Sequence, residues 1–91
     1  MRRATAGTLE SMDCMVVVEE APSGSGVSLT VSGGGRFQSA IDRTVRQVLT
    51  DFGLTDAIVH VQDHGAWDVV VAARAETACA RLSGPEEEET E

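Results

Sequence analysis

VSLTVSGGGRFQSAIDRTVRQVLTDFG, residues 27–53, changes its apolar period partway along. Val27, Leu29 and Val31 alternate with Ser28 and Thr30, the two-residue period of a strand with one buried face. The breaker run SGGG at 32–35 follows. Phe37, Ala40, Ile41, Val45, Val48, Leu49 and Phe52 then recur at helical spacing as one apolar stripe, opposite Gln38, Asp42, Arg43, Arg46, Gln47 and Thr50. Gly53 stands where a C-terminal cap takes a left-handed residue. A strand that feeds a helix across a glycine break sets the fold class as α+β.

The same reading extends both ways. Upstream, DCMVVVE (13–19) puts Cys14, Val16 and Val18 on one face and Met15 and Val17 on the other, with a valine run that favours a strand. EAPSGSG (20–26) is a loop by its breakers. The two strands that flank it read as an antiparallel hairpin with a loop too long for a tight primed turn. Downstream, AIVHVQ (57–62) reads as a third strand, with Val59 and Val61 opposed to Ile58 and His60. Asp63-His64-Gly65 makes a turn. The valine triplet of AWDVVVAARAETACARLSG (66–84) could be a strand, but its length, its alanines and the stripe Trp67, Val71, Ala75, Ala78 and Leu82 favour a helix, and Gly84-Pro85 stops it. The expected order is β-β-α-β-α: a small antiparallel or mixed sheet with helices packed on one face.

At 91 residues this is one small domain with a thin core. Its aromatics are Phe37, Phe52 and Trp67, so valine, alanine, leucine and isoleucine must fill that core. The formal charge is −8, yet five of the fifteen acids lie in PEEEETE (85–91); residues 1–84 hold ten acids against seven arginines. The domain therefore reads as residues 1–84, and 85–91 as a disordered acidic tail. No basic patch with interleaved aromatics favours nucleic acid. MRRATAGT lacks the apolar segment of a secretory signal, and no run approaches the roughly 20 apolar residues of a membrane span. These features predict a cytoplasmic protein that binds neither membrane nor nucleic acid. Cys14 and Cys79 form no CxxC pair and read as buried free thiols.

Little in the chain resembles catalytic machinery. His60, Asp63 and His64 span a strand end and a turn and do not make a zinc set; Asp63 reads as a cap or turn residue. The glycine clusters match neither dinucleotide nor P-loop fingerprints, and Gly33–Gly35 read as a flexible connection. Ser11 has no neighbouring base and no nucleophile-elbow pattern. Its setting, AGTLESMDC (6–14), is nonetheless particular: a lone serine between Glu10 and Met12, with Asp13 next and a strand directly behind.

AGTLESMD resembles the N-terminal motif of the acyl carrier protein of citrate lyase, its gamma subunit, in Ala6, Gly7, Thr8, Leu9, Glu10, Ser11 and Asp13. VHVQDHGAWD resembles a second family segment through Val59, Val61, Asp63, Gly65, Ala66 and Asp68. ARAETACARLSG (73–84) resembles a third, and order and spacing agree over about residues 4–84. Met12 stands where the family has glycine or a small polar residue. The resemblance implies that Ser11 is the covalent anchor, by phosphodiester, of a 2'-(5''-phosphoribosyl)-3'-dephospho-CoA arm. The arm's thiol would hold acetyl and then citryl as a thioester. It further implies three partners: an alpha subunit that exchanges citrate for acetyl, a beta subunit that cleaves the citryl thioester to oxaloacetate, and the transferase that loads the arm. The chain itself would be a non-catalytic carrier, with chemistry supplied by the cofactor. A mobile N-terminal attachment point would add reach, Glu10 and Asp13 would mark the site for the transferase, and the Arg43, Arg46 and Gln47 face would dock the larger subunits. The carrier subunit of malonate decarboxylase, with a similar arm but without the A-G-T-L-E-S run, is the alternative, beside a small binding module with no covalent group. The D-S-L serine of all-helical phosphopantetheine carriers is absent.

Overall fold

The computed structural model describes residues 1–84, so the acidic run at 85–91 and its reading as a disordered tail lie outside the described residues. Strands β1 (Arg3–Gly7), β2 (Cys14–Glu20), β3 (Val27–Gly33) and β4 (Ala57–Asp63) form one sheet in the order β1-β2-β4-β3. A single 3-10 turn, Gly35–Phe37, leads into helix α1 (Gln38–Asp51), and helix α2 (Asp68–Ser83) follows β4. The architecture is α+β with a mixed sheet: β1/β2 and β2/β4 are antiparallel, and β3/β4 is parallel.

Two expectations are corrected. Residues 3–7 form a strand that the alternation signal did not reveal, since RATAG is short and its inward residues, Ala4 and Ala6, are small. The N-terminus is therefore held, not mobile. The Arg81 guanidinium donates to the Thr5 carbonyl at 2.7 Å, and that of Arg2 to the Gly84 carbonyl at 2.6 Å. The expected hairpin of β2 with β3 does not form, because β4 lies between them. A strand that continues into a crossover helix returns parallel to its own neighbour, so β3-α1-β4 places β4 beside β3 and leaves its other edge for β2.

The register explains why β4 takes the centre. Ala4, Val18, Val59 and Leu29 make one row across the sheet, and Ala6, Val16, Val61 and Val31 make the next. Along β4 buried and exposed residues alternate strictly, so one face is covered and the other open. Full burial of each valine contributes about 1.5–3 kcal/mol. α1 packs against β3, and α2 against β1, β2 and α1, all on that one face. Ile41, Val45, Val48 and Leu49 come from α1, and Val71, Ala75, Ala78, Cys79 and Leu82 from α2. Ala4 and Ala6 on β1 and Ala75 and Ala78 on α2 are all buried, and their small size suits close packing of α2 on the edge strand.

Four residues expected in the apolar stripes are not in the core: Ala40, which is half-buried, and the three aromatics. Phe37 and Trp67 are 58% and 68% exposed, and Phe52 is 40% exposed. Each aromatic occupies a cap position at the end of its α-helix, Phe37 as the last residue of the 3-10 turn, and its side chain leaves the stripe. The C-terminal cap of α1 forms as expected: the Gly53 amide donates to the Thr50 carbonyl and the Leu54 amide to the Leu49 carbonyl, both at 2.9 Å.

Gly33–Gly35 make a defined turn, not a flexible connection. At Gly33 the backbone has φ of 78°, and a Cβ would overlap the carbonyl oxygen of Asp63 on the paired strand. Gly33→Ala should therefore destabilise the protein by roughly 2 kcal/mol or more, read as a lower midpoint in urea unfolding.

Candidate functional site

β1 and β2 pair from Arg3↔Glu19 to Gly7↔Met15, which leaves residues 8–13 as the connecting loop. Gly7 opens it with φ of 98°, where a Cβ would overlap the Cys14 carbonyl oxygen and crowd the side chain of Arg74. The Thr8 amide donates to that carbonyl at 3.2 Å. The Thr8 hydroxyl donates to Asp13 Oδ2 at 2.6 Å and accepts from the Glu10 amide at 3.2 Å. The Asp13 amide donates to the Glu10 carbonyl at 3.1 Å and so closes a four-residue turn with Ser11 and Met12 at its centre. Met12 has φ of 68°, at the turn position that usually takes glycine.

Two contacts fasten this loop to the body. The Met12 amide donates to the His64 carbonyl at 2.6 Å, and the His64 amide to the Asp13 carbonyl at 2.9 Å. Arg74 on α2 forms a two-pronged ion pair with Asp13: Nε to Oδ1 and Nη2 to Oδ2, both at 3.0 Å. The Asp13 side chain is only 14% exposed. Hydrogen bonds from Arg74 first, then from Thr8 and the Cys14 amide, hold its carboxyl well below the usual carboxylate range. The same pair raises the Arg74 pKa. Asp13 is thus consumed inside the chain and is not free to mark the site for a transferase; Glu10 remains exposed.

Ser11 lies exposed at the tip of this turn, and its hydroxyl makes no hydrogen bond within the described residues. His60 projects from the open face of the sheet and does not join His64, and no metal-binding group occurs among the described residues. Asp63 serves as a turn residue: its carboxylate accepts from the Gly65 and Ala66 amides, each at 3.1 Å. Cys14 and Cys79 are buried free thiols, each pushed up to about 11 chiefly by burial, so neither offers a thiolate at neutral pH. The residue missed from sequence is Arg74. It stood inside the pattern ARAETACARLSG without a role, because its partner lies 61 positions away.

A family model described as malonate decarboxylase delta subunit matches residues 1–82. Among curated relatives, a citrate lyase acyl carrier protein of Rhodopseudomonas palustris (strain BisA53) is 40% identical over 81 residues, 89% of this chain and 84% of that one. One from Haemophilus influenzae (strain PittEE) is 44% identical over 80 residues, 88% and 83% of the two chains. A chain from the crystal structure of a Pseudomonas malonate decarboxylase hetero-tetramer in complex with malonate shares the fold. Its TM-score is 0.68 at 24% identity, over 89% of this chain and 84% of that one. The chain belongs to the acyl carrier protein family that contains the citrate lyase acyl carrier proteins.

Two outcomes follow from the loop. Asp13 contributes stability that is complete above its ordinary pKa of 3.8 and is lost as pH falls below that value. Asp13→Asn should therefore be less stable than wild type at pH 7, with the gap narrowing at the lowest pH accessible to urea titration. Met12→Gly removes a side chain from the left-handed region and should raise stability by about 1 kcal/mol after the entropic cost of glycine, seen as a higher thermal midpoint.

Proposed function

We propose that this chain is the acyl carrier subunit of a citrate lyase, with Ser11 as the anchor of a 2'-(5''-phosphoribosyl)-3'-dephospho-CoA arm joined through a phosphodiester. One observation carries the proposal. Within the AGTLES run the Ser11 hydroxyl is exposed and unengaged, while Thr8 and Asp13 on either side are bonded into the loop. That is the arrangement of an acceptor held out to a modifying enzyme. It is not that of a catalyst, since no side chain among the described residues hydrogen-bonds the hydroxyl or stands as its base.

The arm, when bound, supplies a thiol that carries acyl groups as thioesters. The residues of this chain supply position. The loop is rigid where it meets α2 and β4, so the covalent link projects from a fixed point, and tethering raises the local concentration of the acyl group at each partner site. The partners we assign are the alpha and beta subunits and the loading transferase, in the cytoplasm. Among the described residues no helix is long and apolar enough to cross a membrane. The outer face of α1 is our candidate for the grip of the larger subunits; Arg43 and Gln47 are exposed there, while Arg46 is held by Asp42 at 2.8 Å. The description of the matching family model favours a second reading, carrier of a malonate decarboxylase, with the same anchor but a different acyl group.

Intact mass of protein co-expressed with the loading enzymes should show one added arm, absent in Ser11→Ala, whose circular dichroism and thermal midpoint should match wild type. Modification retained in Ser11→Ala would refute the anchor. Activity reconstituted with citrate lyase subunits, and not with malonate decarboxylase subunits, separates the two readings.

A further inference from the structure

Aromatic side chains usually dominate the core of a small protein. Here the three aromatic residues are all at least 40% exposed. Two of them, Phe37 and Trp67, occupy the position just before α1 and α2 respectively, and neither side chain makes a capping hydrogen bond. A serine, threonine, aspartate or asparagine there would stabilise each helix start. These two rings therefore serve neither the core nor the helix ends.

Both rings line one cleft. It has a volume of about 480 Å³ and is walled by Phe37 and Ile41 on one side and by Gly65, Ala66, Trp67 and Val69 on the other, with Asp68 as its acidic residue. Val69 is 73% exposed although apolar. The guanidinium of Arg36 lies 5.1 Å from the Phe37 ring centroid, which places a cation beside the cleft. The cleft also adjoins the Ser11 loop. Gly65 belongs to its wall, and a Cβ there would lie 3.8 Å from the Met12 backbone, one residue from Ser11.

The geometry points to a parking site for the purine base of the arm that Ser11 carries, stacked on Trp67 between the two helix starts. This rests on Ser11 as anchor of that arm. The chemistry of the arm suits the distance. A phosphate and one ribose separate the serine from the adenosine, so the base is held near the protein while the thiol end extends beyond. Indole and phenyl rings stack on a base through its π-face. Arg36 opposes the charge of the phosphates, and the Asp68 carboxylate can accept from the exocyclic amine or a ribose hydroxyl. Tethering makes an interaction too weak for a free nucleotide sufficient for an attached one. The site would shorten the swing of the arm to its outer, acyl-bearing half and shield the base between transfers.

Trp67 is the single tryptophan, so its fluorescence reports on this cleft alone. Loaded and unloaded protein, distinguished by intact mass, are compared by acrylamide quenching of that emission. Loading should roughly halve the quenching slope, since a base seated half of the time shields the ring for that time. Val69→Glu, at an exposed position in the first turn of α2, should gain the same mass but keep the unloaded slope. Mass gain with an unchanged slope in wild type would overturn the parking site and leave Ser11 as the anchor. No mass gain on Ser11 would overturn both. A slope that falls only after the larger subunits are added would assign the cleft to a partner and overturn the proposal.

Discussion

The ion pair between Asp13 and Arg74 joins the two parts of the molecule that matter most to its use. Asp13 ends the loop that holds Ser11, and Arg74 projects from α2, which packs on β1 and β2 beneath that loop. Both prongs are 3.0 Å long, and the carboxylate also receives Thr8 and the Cys14 amide. A bidentate guanidinium–carboxylate pair sets orientation as well as distance. With Thr8 bonded to the same carboxylate, the backbone on both sides of Ser11 is fixed and the serine hydroxyl is left outward and unbonded. Gly7 completes the arrangement, since only a residue without a Cβ fits between the Cys14 carbonyl and the Arg74 side chain.

A carrier built this way differs from one whose serine opens a helix. Here Ser11 sits on a hairpin whose strands belong to the sheet, and the loop is tied separately to His64, the residue after β4, and to α2 through Arg74. On the proposed function, the reach toward partner sites would come from the attached group, since the loop itself is bonded to the body on both sides of Ser11. This division suits a domain of limited core. The buried side chains are nearly all short aliphatics, with valine rows across the sheet and alanines where α2 approaches β1. The aromatic residues that would enlarge such a core stand outside it, and two of them line the cleft whose Gly65 wall approaches the loop that bears Ser11.

Much of the fold was legible because its signals are local. Alternation marked β2, β3 and β4, the period of 3.6 marked both helices, and Gly53 marked the end of α1. Each of these depends on neighbours within a turn or two of the chain. The candidate anchor, Ser11, stood out through the unbroken run from Ala6 to Glu10 before it, and the free buried state of Cys14 and Cys79 followed from their spacing and apolar surroundings.

What only the tertiary structure decided is what depends on long separation. Strand order is one case: β2 and β3 are neighbours in sequence, yet β4 enters between them because the α1 crossover makes it parallel to β3 and its second edge then matches the valine column of β2. β1 is another, since RATAG has too little apolar contrast to declare itself and becomes a strand by pairing with β2. The exposure of Phe37 and Trp67 is a third, because a cap residue shares the spacing of the stripe but not the direction of its side chain. The last is the role of Asp13. By itself the sequence determined a serine flanked by acids; that one acid would be neutralised from α2 follows only from folding, which brings Arg74 across 61 positions to meet it.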